Sequence, residues 1–435
     1  MLLKNFMLTK MFPARPLKEL GFYLSANVIK SLIPFLVLPL LTHYIPPSAY
    51  GSWSVYSALL SLLVPFTMMG LSMIVGRNYH ISSRERHSET TYLAILIMLI
   101  ACVGLAAIIL LLGLAGDKYL GLSIPVLMTL PFLCFLQNVQ FVNKIILRHE
   151  KRAKLFAALE IGNAFLTRFG GLMIVVLISA NWMSLLSAQM VVNILFTAIA
   201  FWLLFKDKRI RVNRDKDLAK EIFKMGWPLM PHAIGGVILT LSDRIVLERM
   251  TDTENVGIYS LGAQLGIAVL VFCTAFNNSW GPWMNRQLHD ITDDRKTRIV
   301  RYTYLYFFAT ILLSIATSIA GVFYILWFVE SSYHAAIEVV WWTALGSCFY
   351  GMTLAINHYQ IILGKTGVLP IVTGISAVVN IILSIILIHY FGMIGAAQAT
   401  FISYLLLFAL MMWQSQRLYP MPWIHALSFK KESSL

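Results

Sequence analysis

The sequence predicts an all-α integral membrane protein, with twelve transmembrane helices arranged as two six-helix lobes. Three observations lead there. Of 435 residues, 58% are hydrophobic and 12% charged, about half the charged share of a soluble domain, so lipid is the main solvent. The apolar residues gather into twelve long segments. The lysines and arginines alternate between the connections as the positive-inside rule requires.

Crossing a hydrocarbon core of about 30 Å takes about 20 helical residues. Such segments stand at 17–43, 49–75, 90–115, 120–143, 155–179 and 183–205, and again at 225–248, 254–283, 302–327, 335–363, 367–389 and 392–415. Runs such as 94–114 are continuously apolar rather than alternating, which selects helices over barrel strands. With the N-terminus in the cytoplasm, 29 of the 34 Lys and Arg residues fall in cytoplasmic connections and tails. Lys118 and Arg249 fall outside, and Lys30, Arg168 and Arg244 stay within helices. A missed or invented helix would scramble this alternation, so both termini are expected in the cytoplasm. The first twenty residues carry Lys4, Lys10, Arg15 and Lys18 without the apolar core or cleavage site of a signal peptide, which leaves targeting to the first helix.

External connections such as 180–183 and 328–332 are too short for a catalytic domain. The charge-dense stretch 206–224 reads as a solvated basic linker between an N-terminal lobe, 1–205, and a C-terminal lobe with its tail, 225–435. A faint repeat joins the two halves. At an offset of 206 residues Leu41–Gly51 matches Leu247–Gly257, and Trp53 and Ser54 match Tyr259 and Ser260. Gln189 and Gln398 pair at a nearby offset, and the first helix of each half holds two prolines, Pro34 and Pro39 against Pro228 and Pro231. Such duplication is a habit of transporter folds.

Several chemistries are excluded. The basic excess, 34 Lys and Arg against 20 Asp and Glu, sits in short loops and so reports topology rather than nucleic-acid binding. Cys102, Cys134, Cys273 and Cys348 lie in apolar segments with no CxxC spacing, and no His pair has metal-ligand spacing, so neither disulfide nor metal is expected. No phosphate-binding GxxxxGK[ST] loop is present, which argues against direct use of ATP.

Polar and ionisable groups within spans are functional candidates, because hydrocarbon penalises them unless they face protein or water. On the first helix Tyr23, Asn27, Lys30, Ser31 and Pro34 share a face, with Lys30 near the middle of the span. On the fifth, Glu160, Asn163 and Thr167 form a stripe flanked by Arg168, about 12 Å long at 1.5 Å per residue. The seventh carries His232, Gly236, Thr240 and Asp243, while Arg244 stands four residues before Glu248 and either snorkels to pair with it or serves transport. Gln264 with Ser260, Asn357 with His358, and Thr373, Ser376, Asn380 and Ser384 add stripes in the second half. Each stripe fits a hydrated lumen or an interhelical hydrogen-bonded seam. Asp243, Glu160 and His232 are candidate proton carriers. The paired prolines are either hinges or static kinks.

The run Leu38–Gly51 (LPLLTHYIPPSAYG) followed by Gly70–Tyr79 (GLSMIVGRNY) resembles the N-terminal signature of Wzx-type polysaccharide flippases. Pro228–Pro231 (PLMP), Ser242–Arg244 (SDR), Val256–Ser260 (VGIYS) and Ala275–Trp283 (AFNNSWGPW) are similar to the C-terminal half of that family. The resemblance implies the multidrug/oligosaccharidyl-lipid/polysaccharide (MOP) exporter superfamily: a MATE-like fold whose two lobes flank a central cavity opening alternately to each side. It implies a transporter rather than an enzyme, in the bacterial inner membrane. The implied substrate is an undecaprenyl-pyrophosphate-linked O-antigen or other polysaccharide repeat unit, with membrane lipids and polysaccharide polymerase and chain-length proteins as partners. No cofactor is implied, and ion or proton coupling is compatible with it. The family supplies no invariant catalytic motif, so Lys30, Arg168 and Arg244 as anion-binding groups rest on their own chemistry. A drug or cation exporter of the superfamily would need an acidic cavity, and a polysaccharide polymerase would need a sizeable external loop.

Overall fold

The structure is a computed structural model that describes residues 14–213, 215–289, 292–362, 364–365 and 367–423, with side chains over the same ranges apart from 14–24, 229, 232, 289, 293 and 294. Lys4 and Lys10 lie outside these residues, and the side chains of Tyr23 and His232 lie outside the described ones.

Helices follow the apolar segments because lipid offers no partner for a backbone N–H or C=O, and a helix satisfies these groups within itself. In chain order the first helices are α1 (Ala14–Tyr44), α2 (Pro47–Met68), α3 (Leu71–Ile81) and α4 (Arg84–Gly113). A small hairpin follows, β1 (Lys118–Tyr119) against β2 (Leu122–Ser123), antiparallel. Leu120 and Gly121 close it with φ of 54° and 69°, the left-handed pair that suits a two-residue hairpin turn. Then come α5 (Ile124–Leu127), α6 (Thr129–His149), α7 (Ala153–Leu177), α8 (Trp182–Lys206) and α9 (Lys216–Gly226). The rest are α10 (Met230–Met250), α11 (Thr253–His289), α12 (Asp293–Phe328), α13 (Ala336–Ile356), α14 (His358–Ile362) and α15 (Val368–Leu418).

Among the described residues ten helices are long and apolar enough to span a membrane. Two corrections bring the count to twelve. The 51-residue α15 is broken at Gly392, whose φ of 57° and ψ of −136° lie outside helical space. A Cβ at nearby Gly395 would lie 2.0 Å from the Leu387 carbonyl oxygen, so the chain turns back tightly there. Its two parts are the expected eleventh and twelfth spans. The 21-residue α10 is long enough to cross but carries Asp243, Arg244, Glu248 and Arg249, so hydropathy alone passes over it. The expected span 49–75 is interrupted where Met69 and Gly70 adopt φ of 49° and 68°.

The chain divides into two compact units, Met1–Ile45 with Val55–Ile234, and Pro46–Ser54 with Gly235–Leu435. In the first, α1 packs on α7, α7 on α8, α8 on α6, and α6 on α3 and α4. Its core gathers Leu71, Val75, Met98, Val139, Leu218 and Ile222. The stretch expected as a solvated linker is instead docked. Leu218 and Ile222 of α9 are buried, Arg211 reaches Glu85 at 3.1 Å, and Arg152 reaches Asp207 at 2.5 Å.

In the second unit α13 packs against α11, α12 and α15, around Trp280, Met284, Ile356, Tyr359 and Tyr404. Here the repeat becomes visible as contact. Ser54 and Ser260, equivalent positions, share a hydrogen bond of 2.5 Å. A Cβ at Gly51 would lie 1.7 Å from the Thr253 carbonyl oxygen, and one at Gly257 would lie 1.9 Å from that of Pro47. Only glycine permits helix backbones to approach this closely.

Candidate functional site

Three spans of the first unit converge on one carboxylate. Helix α7 carries Glu160, 7% exposed, and its two oxygens each face a lysine: Oε2 lies 2.6 Å from Lys30 Nζ of α1 and Oε1 lies 2.6 Å from Lys144 Nζ of α6. A buried carboxylate is tolerated when paired and hydrogen-bonded, and here both oxygens are. Two cations on one anion leave a formal charge of +1. Lys30 is 47% exposed, so one end of the cluster is open.

A polar seam continues from it. Asn163, one turn along α7 from Glu160, donates to Gln140 Oε1 at 3.0 Å, and Gln140 Nε2 donates to Asn193 Oδ1 at 3.1 Å and Thr197 Oγ1 at 3.0 Å. Lys30, Gln140, Asn143, Lys144, Glu160 and Asn163 line a cavity of about 70 Å³, room for a few waters. Beyond it the buried Thr167 Oγ1 and Gln189 Oε1 have no protein partner. The face foreseen from spacing therefore exists for Lys30, Glu160 and Asn163. Asn27 is exposed, its backbone carbonyl accepting from Ser31 Oγ at 2.8 Å. Arg168, two turns past Glu160 and half-buried, is not among the lining residues. Lys144 falls just past the expected end of the fourth span at 143, whereas α6 runs to His149 and carries it into the site. The signal that would have found it is the i, i+4 spacing of Gln140 and Lys144.

The second unit holds a different ionic centre. Asp243 and Arg244 of α10 are 3% and 7% exposed. Asp243 Oδ1 accepts from Arg244 Nη1 at 3.1 Å and from the Arg244 backbone N–H at 2.8 Å. Its Oδ2 accepts from the buried Tyr259 hydroxyl and from Thr400 Oγ1 at 3.4 Å. The guanidinium lies 5.7 Å from the Tyr259 ring centroid and donates to the Thr240 carbonyl at 3.3 Å. Arg244 thus neither snorkels nor pairs with Glu248: its neighbour in sequence neutralises it inside the protein.

The remaining candidates are dispersed. Gln264 accepts from the Tyr50 hydroxyl at 3.1 Å, His358 Nε2 lies 2.9 Å from Asn277 Oδ1, and Asn380 accepts from Ser242 at 3.1 Å. Asn357 Oδ1, Asn380 Nδ2 and the hydroxyls of Ser376 and Ser384 are buried without a protein partner. Pro34 and Pro39 lie within the continuous α1. Pro228 stands in the 3₁₀ turn Trp227–Leu229 and Pro231 in the first turn of α10, where a missing N–H costs nothing. They shape the start of the seventh span rather than bend its middle. Among the described residues no three His, Cys, Asp or Glu side chains are grouped to hold a metal ion.

Several solved structures share this fold. The chain is similar to a lipid II flippase, MurJ, in an inward closed conformation, at TM-score 0.69 and 13% identity over 92% of this chain and 86% of the other. It is similar to an inward-facing multidrug resistance MATE family transporter of the MOP superfamily, at TM-score 0.66 and 14% identity over 90% and 94%. A MOP superfamily transporter from Pyrococcus furiosus matches at TM-score 0.59 and 14% identity over 92% and 96%. In sequence, a Haemophilus influenzae protein of the Lsg locus is 22% identical over 287 residues, 62% of this chain and 66%, just under two thirds, of that protein. The chain shares the fold of these solved structures. Residues 17–288 match the family described as polysaccharide biosynthesis protein, and this chain, a multi-pass membrane protein, belongs to that family.

Proposed function

We propose that the protein is a flippase that moves a polyprenyl-pyrophosphate-linked oligosaccharide from the cytoplasmic to the outer leaflet by alternating access. The observation that carries the reading is the Lys30–Glu160–Lys144 cluster with its cavity. Moving an unshielded anion through hydrocarbon costs tens of kcal/mol in the Born limit. A hydrated cationic surface removes most of that barrier while the lipid tail stays in the bilayer. A phosphate approaching the open side of Lys30 competes with Glu160, and the second lysine keeps the carboxylate compensated when Lys30 turns to the substrate. Gln140, Asn143 and Asn163 supply hydrogen bonds for sugar hydroxyls or for waters around them.

The family assignment and the likeness to a lipid II flippase support a lipid-linked saccharide over a free drug. An interior-negative potential of 100 mV would favour outward movement of two negative charges by about 4.6 kcal/mol. Of the two buried carboxylates, Glu160 is the one a coupled proton would reach, and only after a lysine has turned away from it. Asp243 is enclosed by Arg244, Tyr259 and Thr400, whereas Glu160 adjoins a cavity.

In this reading the inner membrane is the site of action, with both termini cytoplasmic. Deleting the gene should make a lipid-linked glycan accumulate on the cytoplasmic leaflet. Loss of surface glycan without that accumulation would favour a polymerase instead. In the complemented strain, Lys30→Ala with Lys144→Ala should lower export at least tenfold at unchanged protein level, and Lys30→Arg should retain part of it because charge is the shared property. Normal export by the double alanine variant would remove the anion site.

A further inference from the structure

Helix α9 has a second face that the bundle does not use. Leu218, Ile222 and Gly226 are buried against the first unit. Lys216, Lys220, Phe223, Lys224 and Trp227 are exposed, and at 3.6 residues per turn all five fall within an arc of about 100°. The acids of the segment lie outside that arc: Asp215 and Glu221 are 3.6 and 3.9 Å from Arg86 of α4, and Asp217, itself exposed, stands about 20° beyond its edge. The outer arc is therefore cationic, and its two rings lean on one another with centroids 5.8 Å apart.

Its depth follows from α2. Twenty-two residues make a helix of about 33 Å, close to the hydrocarbon thickness of about 30 Å, so the break at Met69–Gly70 falls at the membrane boundary. A Cβ on Gly226 would lie 2.7 Å from the Met69 carbonyl oxygen and 3.0 Å from Leu71 Cδ2, which fixes the C-terminal end of α9 at that level. Trp227 follows directly. Trp227 at the boundary with three lysines on the same face of α9 is the arrangement of an interfacial anchor: the rings enter the head-group layer and the ammonium groups meet its charge.

We propose that this face of α9 binds the anionic phospholipid head groups of the leaflet beside it. Charge complementarity selects the occupant, since a zwitterionic surface offers the three lysines no net attraction and an anionic one does. The site stands apart from the Lys30–Glu160–Lys144 cluster and does not depend on the transported substrate. Because α9 leads through Trp227 into α10, head groups held there would fix the start of the seventh span at the membrane surface.

The test uses the whole protein in nanodiscs containing equal fractions of brominated phosphatidylglycerol or brominated phosphatidylcholine. The emission of Trp227 is isolated as the difference between wild type and Trp227→Phe. Quenching of that component should be at least threefold stronger by the anionic lipid. Replacing Lys216, Lys220 and Lys224 together by Gln should equalise the two lipids without abolishing quenching, and the elution profile of the variant should match that of wild type. No quenching of Trp227 by either lipid, equal quenching by both in wild type, or a preference that survives the triple substitution would each overturn the proposal.

Discussion

The two units build their buried charges in opposite ways. In the first, one carboxylate is shared by two lysines from two other helices, a cation is left over, and a cavity adjoins it. In the second, one carboxylate meets the arginine beside it in sequence, a tyrosine and a threonine complete its shell, and the pair is neutral and enclosed. A surplus charge beside water is available to a ligand; a compensated charge in protein serves packing. On the proposed function, the difference separates a site for transport from a site for architecture, although both appear in the sequence as ionisable residues within spans.

That comparison is broken most directly by removing one partner from each centre. Asp243→Asn leaves Arg244 buried without its counter-ion and should cost about 3–5 kcal/mol, read as a large fall in thermal stability in detergent and in membrane abundance. Substituting both, Asp243→Asn with Arg244→Met, should recover most of the loss. Glu160→Gln should change thermal stability less, because Lys30 is half in solvent and Lys144, though mostly buried, lines the cavity, while still altering export. Equal destabilisation by Asp243→Asn and Glu160→Gln would erase the distinction between the two centres.

How much of this was legible depends on the kind of signal. Hydropathy and the placement of Lys and Arg predicted the spans, since both are imposed by lipid residue by residue. The breaks differed in visibility: the turn at Gly392 falls where the spans 367–389 and 392–415 separate, whereas the break at Met69–Gly70 lies inside the expected span 49–75 and no change in hydropathy or charge marks it. Lys30, Glu160 and Asn163 were found because each shares a face with polar neighbours on its own helix. Lys144 was missed because its helix, expected to end at 143, runs on to His149, and Tyr259 and Thr400 because their role is set by which helix lies across from them. Pairing between helices is the information that spacing along one helix does not carry. Arg244 shows the same limit, since the i, i+4 rule nominated Glu248 while the adjacent Asp243 won in three dimensions.

The repeat contact offers an intermediate effect. Gly51→Ala or Gly257→Ala should destabilise the second unit by about 1–3 kcal/mol, because the added Cβ meets backbone rather than a side chain that can move. Ser54→Ala and Ser260→Ala should each cost about 0.5–1.5 kcal/mol, and the double variant should cost little more than either alone, because the two hydroxyls satisfy one another. Additive losses would show that the equivalent serines do not act as a pair.

The smallest effect is expected where a charge is only partly covered, at the start of α9. Asp215 accepts from the backbone N–H groups of Asp217 at 2.9 Å and Leu218 at 3.1 Å, the N-cap arrangement. The Leu218 N–H first, and then that of Asp217 and the Arg86 guanidinium, hold its carboxyl below the usual carboxylate range. A depressed pKa means that the folded helix favours the ionised form. Its contribution is therefore present above the unfolded-state pKa and is lost as pH falls through the folded one. Protection of the α9 amides against hydrogen exchange, taken relative to the intrinsic rate at each pH, should fall in wild type on acidification through that range. Asp215→Asn keeps an acceptor at the cap and removes the titrating charge, so its protection should no longer respond to acid in this way, while Asp215→Ala should exchange faster at every pH. An asparagine variant that retains the acid response of wild type would assign that response to another group, and the cap would then contribute through its hydrogen bonds alone.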